Sequence, residues 1–169
     1  MSEEISSDVA YLLNLSEKFQ NNSNELQIKY ENDFVNPGSR LTKEQAKEEP
    51  FIQINILPEQ NTFRTLVMID PDAPSPSQPI TGPFIHWIKA NFQDNHLNNG
   101  ENICPYMGPG PREATGEHRY IFLLYQSNQI IKQDKQFNSI PERRKFTLEK
   151  FVSDNHLTLI HLTYFTVYA

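Results

Sequence analysis

Asp70 and Asp72 close the apolar run "TLVMI", and four further prolines follow before a histidine, His86, is reached. A carboxylate beside an imidazole can fix the ring's tautomer, or raise its pKa so that it carries charge near neutrality. The same stretch also fits an Asx-turn at Asp70 or Asp72 and a histidine satisfied within a core. A second stretch, "GPGPREATGEHRY", runs from Gly108 to Tyr120. Gly108 and Gly110 allow close backbone approach to a ligand, and glycines can turn successive N–H groups toward one anion. Pro109 and Pro111 stiffen the loop but lack their own donors. With His118 and Tyr120 nearby, the pattern points to a phosphate or carboxylate pocket.

Such a site needs strands to position it. "FIQINIL", "FRTLVMID", "PFIHWIKANF" and "HRYIFLLYQ" are rich in β-branched and aromatic residues and are separated by Pro, Gly and Asn. Period two places Asp70 on the face of Leu66 and Met68, and His86 with Phe84 and Ile88. In the fourth run, His118, Tyr120, Phe122 and Leu124 share one face, with Arg119, Ile121, Leu123 and Tyr125 on the other. Both faces are mostly apolar, which predicts a central strand covered on both sides. "LQIKY" and the closing "LTLIHLTYFTVYA" also read as strands. Val9, Leu12, Leu13 and Phe19 recur at helical spacing behind Ser7 and Asp8, which are N-cap residue types, and "FTLEKFVSDN" reads as a second helix. The segments 31–50, 98–117 and 126–145 read as loops or polar connections.

Composition narrows the function. A chain of 169 residues fits one domain, 1–169. Fifteen Lys plus Arg against twenty-one Asp plus Glu give a net charge of -6, with no basic stripe to trade counterions with nucleic acid. The acidic start lacks the basic region of a signal peptide, and no apolar run approaches the roughly 20 residues that span a bilayer. A soluble cytoplasmic protein is therefore expected. The single Cys104 allows no internal disulfide and no cysteine cluster for zinc.

"DPDAPSPSQP" followed by "HW", and then the spaced Gly-x-Gly-Pro and "TGEHRY", resemble the two signature regions of the phosphatidylethanolamine-binding protein family, which includes the Raf kinase inhibitory proteins and plant flowering regulators. The resemblance extends from "LQIKY" to "LTYFTVYA". It implies a mainly β fold, a large antiparallel sheet packed with a smaller one and a few short peripheral helices, with a shallow anion pocket at one end of the strands. Asp70, Asp72 and Pro74 fall in the first signature and His86 in its downstream strand. Gly108, Gly110, Pro111, His118 and Tyr120 fall in the second, while Phe84 and Phe165 fall where the family places aromatic rim residues. In this reading Asp70 orients His86, both histidines and Tyr120 donate to a phosphoryl oxygen, and Arg119 pairs with Asp72 as structural support. Two departures stand out. Gly82-Pro83 replaces an Arg-Glu pair common in the family, and the chain stops at Ala169, where many animal relatives add a helix that flanks the pocket.

The leading functional expectation is a non-catalytic regulator that binds a phosphorylated small molecule or phospholipid headgroup, with a kinase or another signalling protein as partner and no cofactor. Kinase- and protease-inhibitory activities occur in the family. The alternatives are a metal-assisted hydrolase built on the Asp/His cluster, a Cys104–His118 nucleophile and base, and a scaffold that acts through the surface loop 126–145. If imidazolium is the binding form, phosphate-bearing ligands should bind weakly through His86 and His118, and more weakly as pH rises through the histidine pKa values.

Overall fold

The computed structural model describes residues 4–18, 24–135 and 137–169. Its centre is a six-stranded sheet built from the β-branched runs. The strands are β1 Leu26–Tyr30, β2 Asp33–Val35, β3 Ser39–Leu41, β4 Phe51–Ile54, β5 Phe63–Asp70, β6 Phe84–Phe92, β7 Glu101–Cys104, β8 Glu117–Ser127 and β9 Thr158–Tyr168. The large sheet has the order β3-β9-β8-β5-β6-β7, and the small one the order β2-β1-β4. All neighbours are antiparallel except β3 and β9, so the large sheet is mixed rather than purely antiparallel. Parallel pairing needs a long connection, and here most of the chain lies between these two strands.

Alternation splits each central strand between two cores. Leu66 and Met68 of β5, with Tyr120, Phe122 and Leu124 of β8, meet Leu26, Ile28, Ile52 and Ile54 of the small sheet. Val67, Ile69, Ile121, Leu123 and Tyr125 face the other way. That side is covered by α1 (Ser7–Lys18) and α3 (Leu148–Asp154), through Leu12, Leu148 and Phe151. Asp8 ties the two helices together: its carboxylate accepts from the backbone N–H of Glu149 at 2.8 Å, satisfying a donor at the start of α3. The expected helical position Phe19 lies outside the described residues.

Four elements arise in segments that read as loops: β2, β3, β7 and the four-residue helix α2 (Ile140–Arg143). Each is three or four residues long. Pairing with a longer neighbour, as Ser39–Leu41 with Phe165–Val167, supplies the order that so short a run cannot supply alone. Among the described residues no helix is long and apolar enough to cross a membrane.

Leu123 is fully buried on the central strand β8. Leu123→Ala should lower unfolding free energy by about 2–5 kcal/mol in urea titrations, because a cavity there has helices on one side and a sheet on both flanks and cannot collapse.

Candidate functional site

The ends of β5, β6 and β8 converge on a cavity of about 280 Å³. Antiparallel pairing of β5 with β8 brings Asp70, the last residue of β5, beside His118, the second residue of β8. Asp70 Oδ2 lies 3.1 Å from His118 Nδ1, and Asp70 Oδ1 accepts from the backbone N–H of Asp72 at 2.7 Å. Asp70 therefore closes an Asx-turn and holds His118 at the same time. It does not orient His86, as the strand pattern suggests.

The other ring nitrogen of His118 is also engaged. Thr115 Oγ1 lies 2.7 Å from the Arg112 carbonyl and 2.8 Å from His118 Nε2. A carbonyl can only accept, so the one hydroxyl proton of Thr115 goes to Arg112, and His118 Nε2–H donates to Thr115. One further proton then sits between His118 Nδ1 and Asp70, giving either imidazolium with carboxylate or neutral imidazole with carboxylic acid. Both forms carry zero net charge. Burial raises the Asp70 pKa, and its hydrogen bond and attraction to His118 work against that rise. With both nitrogens occupied, His118 has no N–H left for a ligand.

His86 is positioned differently. Along β6, Ile85 pairs with Ile69 while Trp87 pairs with Met68, so His86 is the extra residue of a β-bulge. The bulge reverses the alternation: Trp87 joins Met68 in one core and Ile88 joins Val67 in the other. His86 and Ile88 thus do not share a face, contrary to unbroken period two. The His86 ring packs between Phe84 (centroids 4.8 Å apart) and Tyr120 (5.2 Å). Its Nδ1–H donates to the Met107 carbonyl at 2.7 Å, and the Met107 N–H returns a bond to the His86 carbonyl at 2.9 Å. Nε2 is the ring nitrogen left for a ligand. Burial holds the His86 pKa down to about 4; the Met107 carbonyl opposes this shift, and the positive Arg143 and the neighbouring His118 ring add to it. His86 is therefore neutral near pH 7, and imidazolium at this position is not the resting form.

Beneath the site lies a residue that the sequence reading left in a polar connection. The buried Arg143 guanidinium donates to the carbonyls of Ile85 (3.3 Å), His86 (3.0 Å) and Pro105 (2.9 Å), bracing the bulge against the end of β7. Arg143 makes no ion pair among the described residues. The exposed Arg112 and Arg144 stand on the cavity wall. Pro141 at the start of α2 is a helix-start signal that could have placed Arg143 and Arg144 on an ordered element.

Asp70, Pro74, Phe84, His86, Gly108, Gly110, Pro111, His118 and Tyr120 all line the cavity. Phe165 does not: it is fully buried and stacks under Tyr120 at 5.3 Å, so it supports the tyrosine rather than forming a rim. Gly108 serves packing, since a Cβ there would lie 2.8 Å from the Ala46 carbonyl oxygen. Neither it nor Gly110 has positive φ; in this stretch positive φ falls at Ala114 (60°) and Gly116 (103°), so no anion nest forms at the Gly-Pro-Gly-Pro turn. Asp72, almost fully buried, accepts from the Arg119 side chain at 2.8 and 3.0 Å and from its backbone N–H at 2.8 Å. Cys104 packs in the core on the opposite face of the sheet from Tyr120, and burial pushes its thiol up to about 11, so it is not a nucleophile paired with His118. Among the described residues no three His, Cys, Asp or Glu side chains converge to hold a metal ion.

This sheet pair, with its cavity at the strand ends, defines the class: the chain belongs to the phosphatidylethanolamine-binding protein family, whose model matches residues 16–165. It is 33% identical over 112 residues to the putative odorant-binding protein A5 of Drosophila melanogaster, an alignment covering 66% of this chain and 52% of that protein. The chain spans about half the length of the curated relatives it matches. In fold it is similar to a carboxypeptidase Y inhibitor solved in complex with its cognate proteinase (TM-score 0.75, 23% identity, 95% of this chain and 93% of that one). It is also similar to the phosphatidylethanolamine-binding protein from Plasmodium vivax (TM-score 0.71, 20% identity, 98% of each chain).

Two outcomes follow from the geometry. Arg119→Ala strands the buried Asp72 carboxylate and should cost roughly 3 kcal/mol in urea unfolding. Arg40→Ala, which breaks the exposed pair with Glu117, should cost no more than about 1 kcal/mol. The second outcome concerns pH. An unfolded histidine takes up its proton near 6.5, whereas folded His86 does so only near 4. The stability contributed by neutral His86 is thus complete above pH 6.5 and is lost toward pH 4, at about 1.4 kcal/mol per unit. His86→Gln should flatten that part of the stability–pH curve; an equal acid loss in both proteins would show that folded His86 is already charged.

Proposed function

We propose that this chain is a non-catalytic binding protein whose cavity takes the phosphoryl group of a phosphorylated small molecule or phospholipid headgroup, and that it acts by regulating a protein partner. One observation carries the reading: a neutral floor, made of His86, Tyr120 and the Asp70–His118 pair, lies open beneath two guanidiniums, Arg112 and Arg144. Because that pair is neutral as a whole, the acid at the base of the pocket does not repel an anion. Burial keeps the Tyr120 phenol protonated and able to donate. Arg143 adds positive charge from below, and no carboxylate pairs with it among the described residues.

The same geometry supports binding rather than hydrolysis. Of the groups that a metal-assisted hydrolase would use, Asp70 and His118 are committed to one another, His118 also to Thr115 and Asp72 to Arg119, which leaves His86 Nε2 as one ligand atom where such a site needs several. The inhibitor–proteinase complex among the structural neighbours supports a regulatory role through protein contact.

An NMR titration with phosphorylethanolamine tests the site. Saturable shifts are expected at His86, Gly110, Arg112 and Tyr120. Tyr120→Phe should weaken binding about fivefold through loss of one hydroxyl donor. Arg112→Ala combined with Arg144→Ala should weaken it further and reduce its salt dependence. Shifts that stay the same in every variant would remove the cavity as the site, and release of inorganic phosphate during the titration would overturn the non-catalytic reading.

A further inference from the structure

The hydrogen bonds of the floor specify more than negative charge. His118 Nδ1 and Nε2 are taken by Asp70 and Thr115, and His86 Nδ1 is taken by Met107. A carbonyl cannot donate, so the proton of this last bond belongs to Nδ1, and Nε2 of the neutral ring presents a lone pair. An acceptor at the floor of an otherwise cationic cavity calls for an anion that itself carries a proton.

Resting on the phosphoryl-binding reading above, we propose that the cavity selects a phosphomonoester in its singly protonated form, whose P–OH donates to His86 Nε2 while its charged oxygens meet the Tyr120 hydroxyl and the guanidiniums of Arg112 and Arg144. A dianionic monoester sets an oxygen lone pair against the nitrogen lone pair. A phosphodiester, the phosphate of an intact phosphatidylethanolamine headgroup included, is a monoanion but has no P–OH to give, so of the two ligand sources proposed above this inference favours the phosphorylated small molecule. His86 is thus a specificity-determining residue that reads protonation and esterification together.

Other groups around His86 leave this arrangement in place. From β5 it faces Asp70, and from β8 it faces His118 and Tyr120, the first two joined by their shared proton. From α2 it faces Arg143, whose charge disfavours a second proton on the imidazole, and Arg112 and Arg144 stand on the wall. The nearby Tyr106 hydroxyl is turned away, bonded to Tyr30 and to the Ala46 carbonyl, both at 2.7 Å.

The test compares methyl phosphate with dimethyl phosphate, neither of which has an amine, by NMR titration of the full chain between pH 5 and 8. The second pKa of a phosphomonoester is about 6. Methyl phosphate should bind about tenfold more weakly for each pH unit above that value. Dimethyl phosphate should bind about tenfold more weakly than methyl phosphate at pH 5, with little dependence on pH. In His86→Gln, whose amide can donate as well as accept, the two ligands should converge. If that variant does not fold, 15N spectra of the wild-type imidazoles decide: His86 Nε2 should keep the signature of an unprotonated nitrogen in the methyl phosphate complex at pH 6. Equal, pH-independent affinity for both ligands, or an imidazolium signature at His86, would overturn the selectivity while leaving an anion site in place. Failure of both ligands to bind at any pH would overturn the phosphoryl-binding reading and this inference with it.

Discussion

The proton shared by Asp70 and His118 is the constraint on which the rest of the site depends. It joins the last residue of β5 to the second residue of β8, so it forms only when the central pair of strands is in register. Taking a lone carboxylate or a lone imidazolium out of water costs several kcal/mol, and each group offsets that cost only in the other's presence. Two residues further on in the same turn, Asp72 meets Arg119, the neighbour of His118 in sequence, and repeats the arrangement on the other face of β8. Two buried acids at the end of one strand are thus each matched by a partner on its neighbour, and the base of the cavity is left without net charge.

The bulge at His86 depends on a different set of forces. An extra residue in β6 leaves main-chain groups without ladder partners, and the structure fills those positions with Met107 and Arg143. The arginine reaches both Ile85 and His86 on β6 and Pro105 just beyond β7, so it locks the kinked strand to the edge of the sheet. Its charge also reaches the imidazole it braces. One buried guanidinium therefore sets the shape of the site and favours the neutral state of its central ring.

The walls come from loops pinned to this floor. The segment after α2 bonds back to the proline-rich loop, with the Lys145 N–H to the Thr81 carbonyl at 3.0 Å and the Phe146 N–H to the Pro83 carbonyl at 2.9 Å. At Gly82 the chain runs so close to Pro71 that a Cβ would lie 2.7 Å from its carbonyl oxygen. Gly82-Pro83 thus contributes close packing where a charged pair was the family expectation. Positive charge on the wall comes instead from Arg112 and Arg144, on segments distant in sequence.

Much of this was legible in the residues alone. Alternation marked β1, and runs of β-branched and aromatic residues bounded by Pro, Gly and Asn marked β4, β5, β6, β8 and β9, because strands covered on both faces stay apolar along their length; the "DPDAP" and "GPGP" stretches marked both sides of the cavity. The short strands β2, β3 and β7 were not legible, since three or four residues carry too little pattern and owe their order to a neighbour. Nor was the role of each side chain. Sequence names the types Asp, His and Arg, but it does not say which carboxylate meets which ring, that a bulge turns His86 out of phase, or that Phe165 lies beneath Tyr120 rather than at the rim. Those assignments rest on register, and register is settled only when both faces of the sheet are covered and every buried donor has found an acceptor.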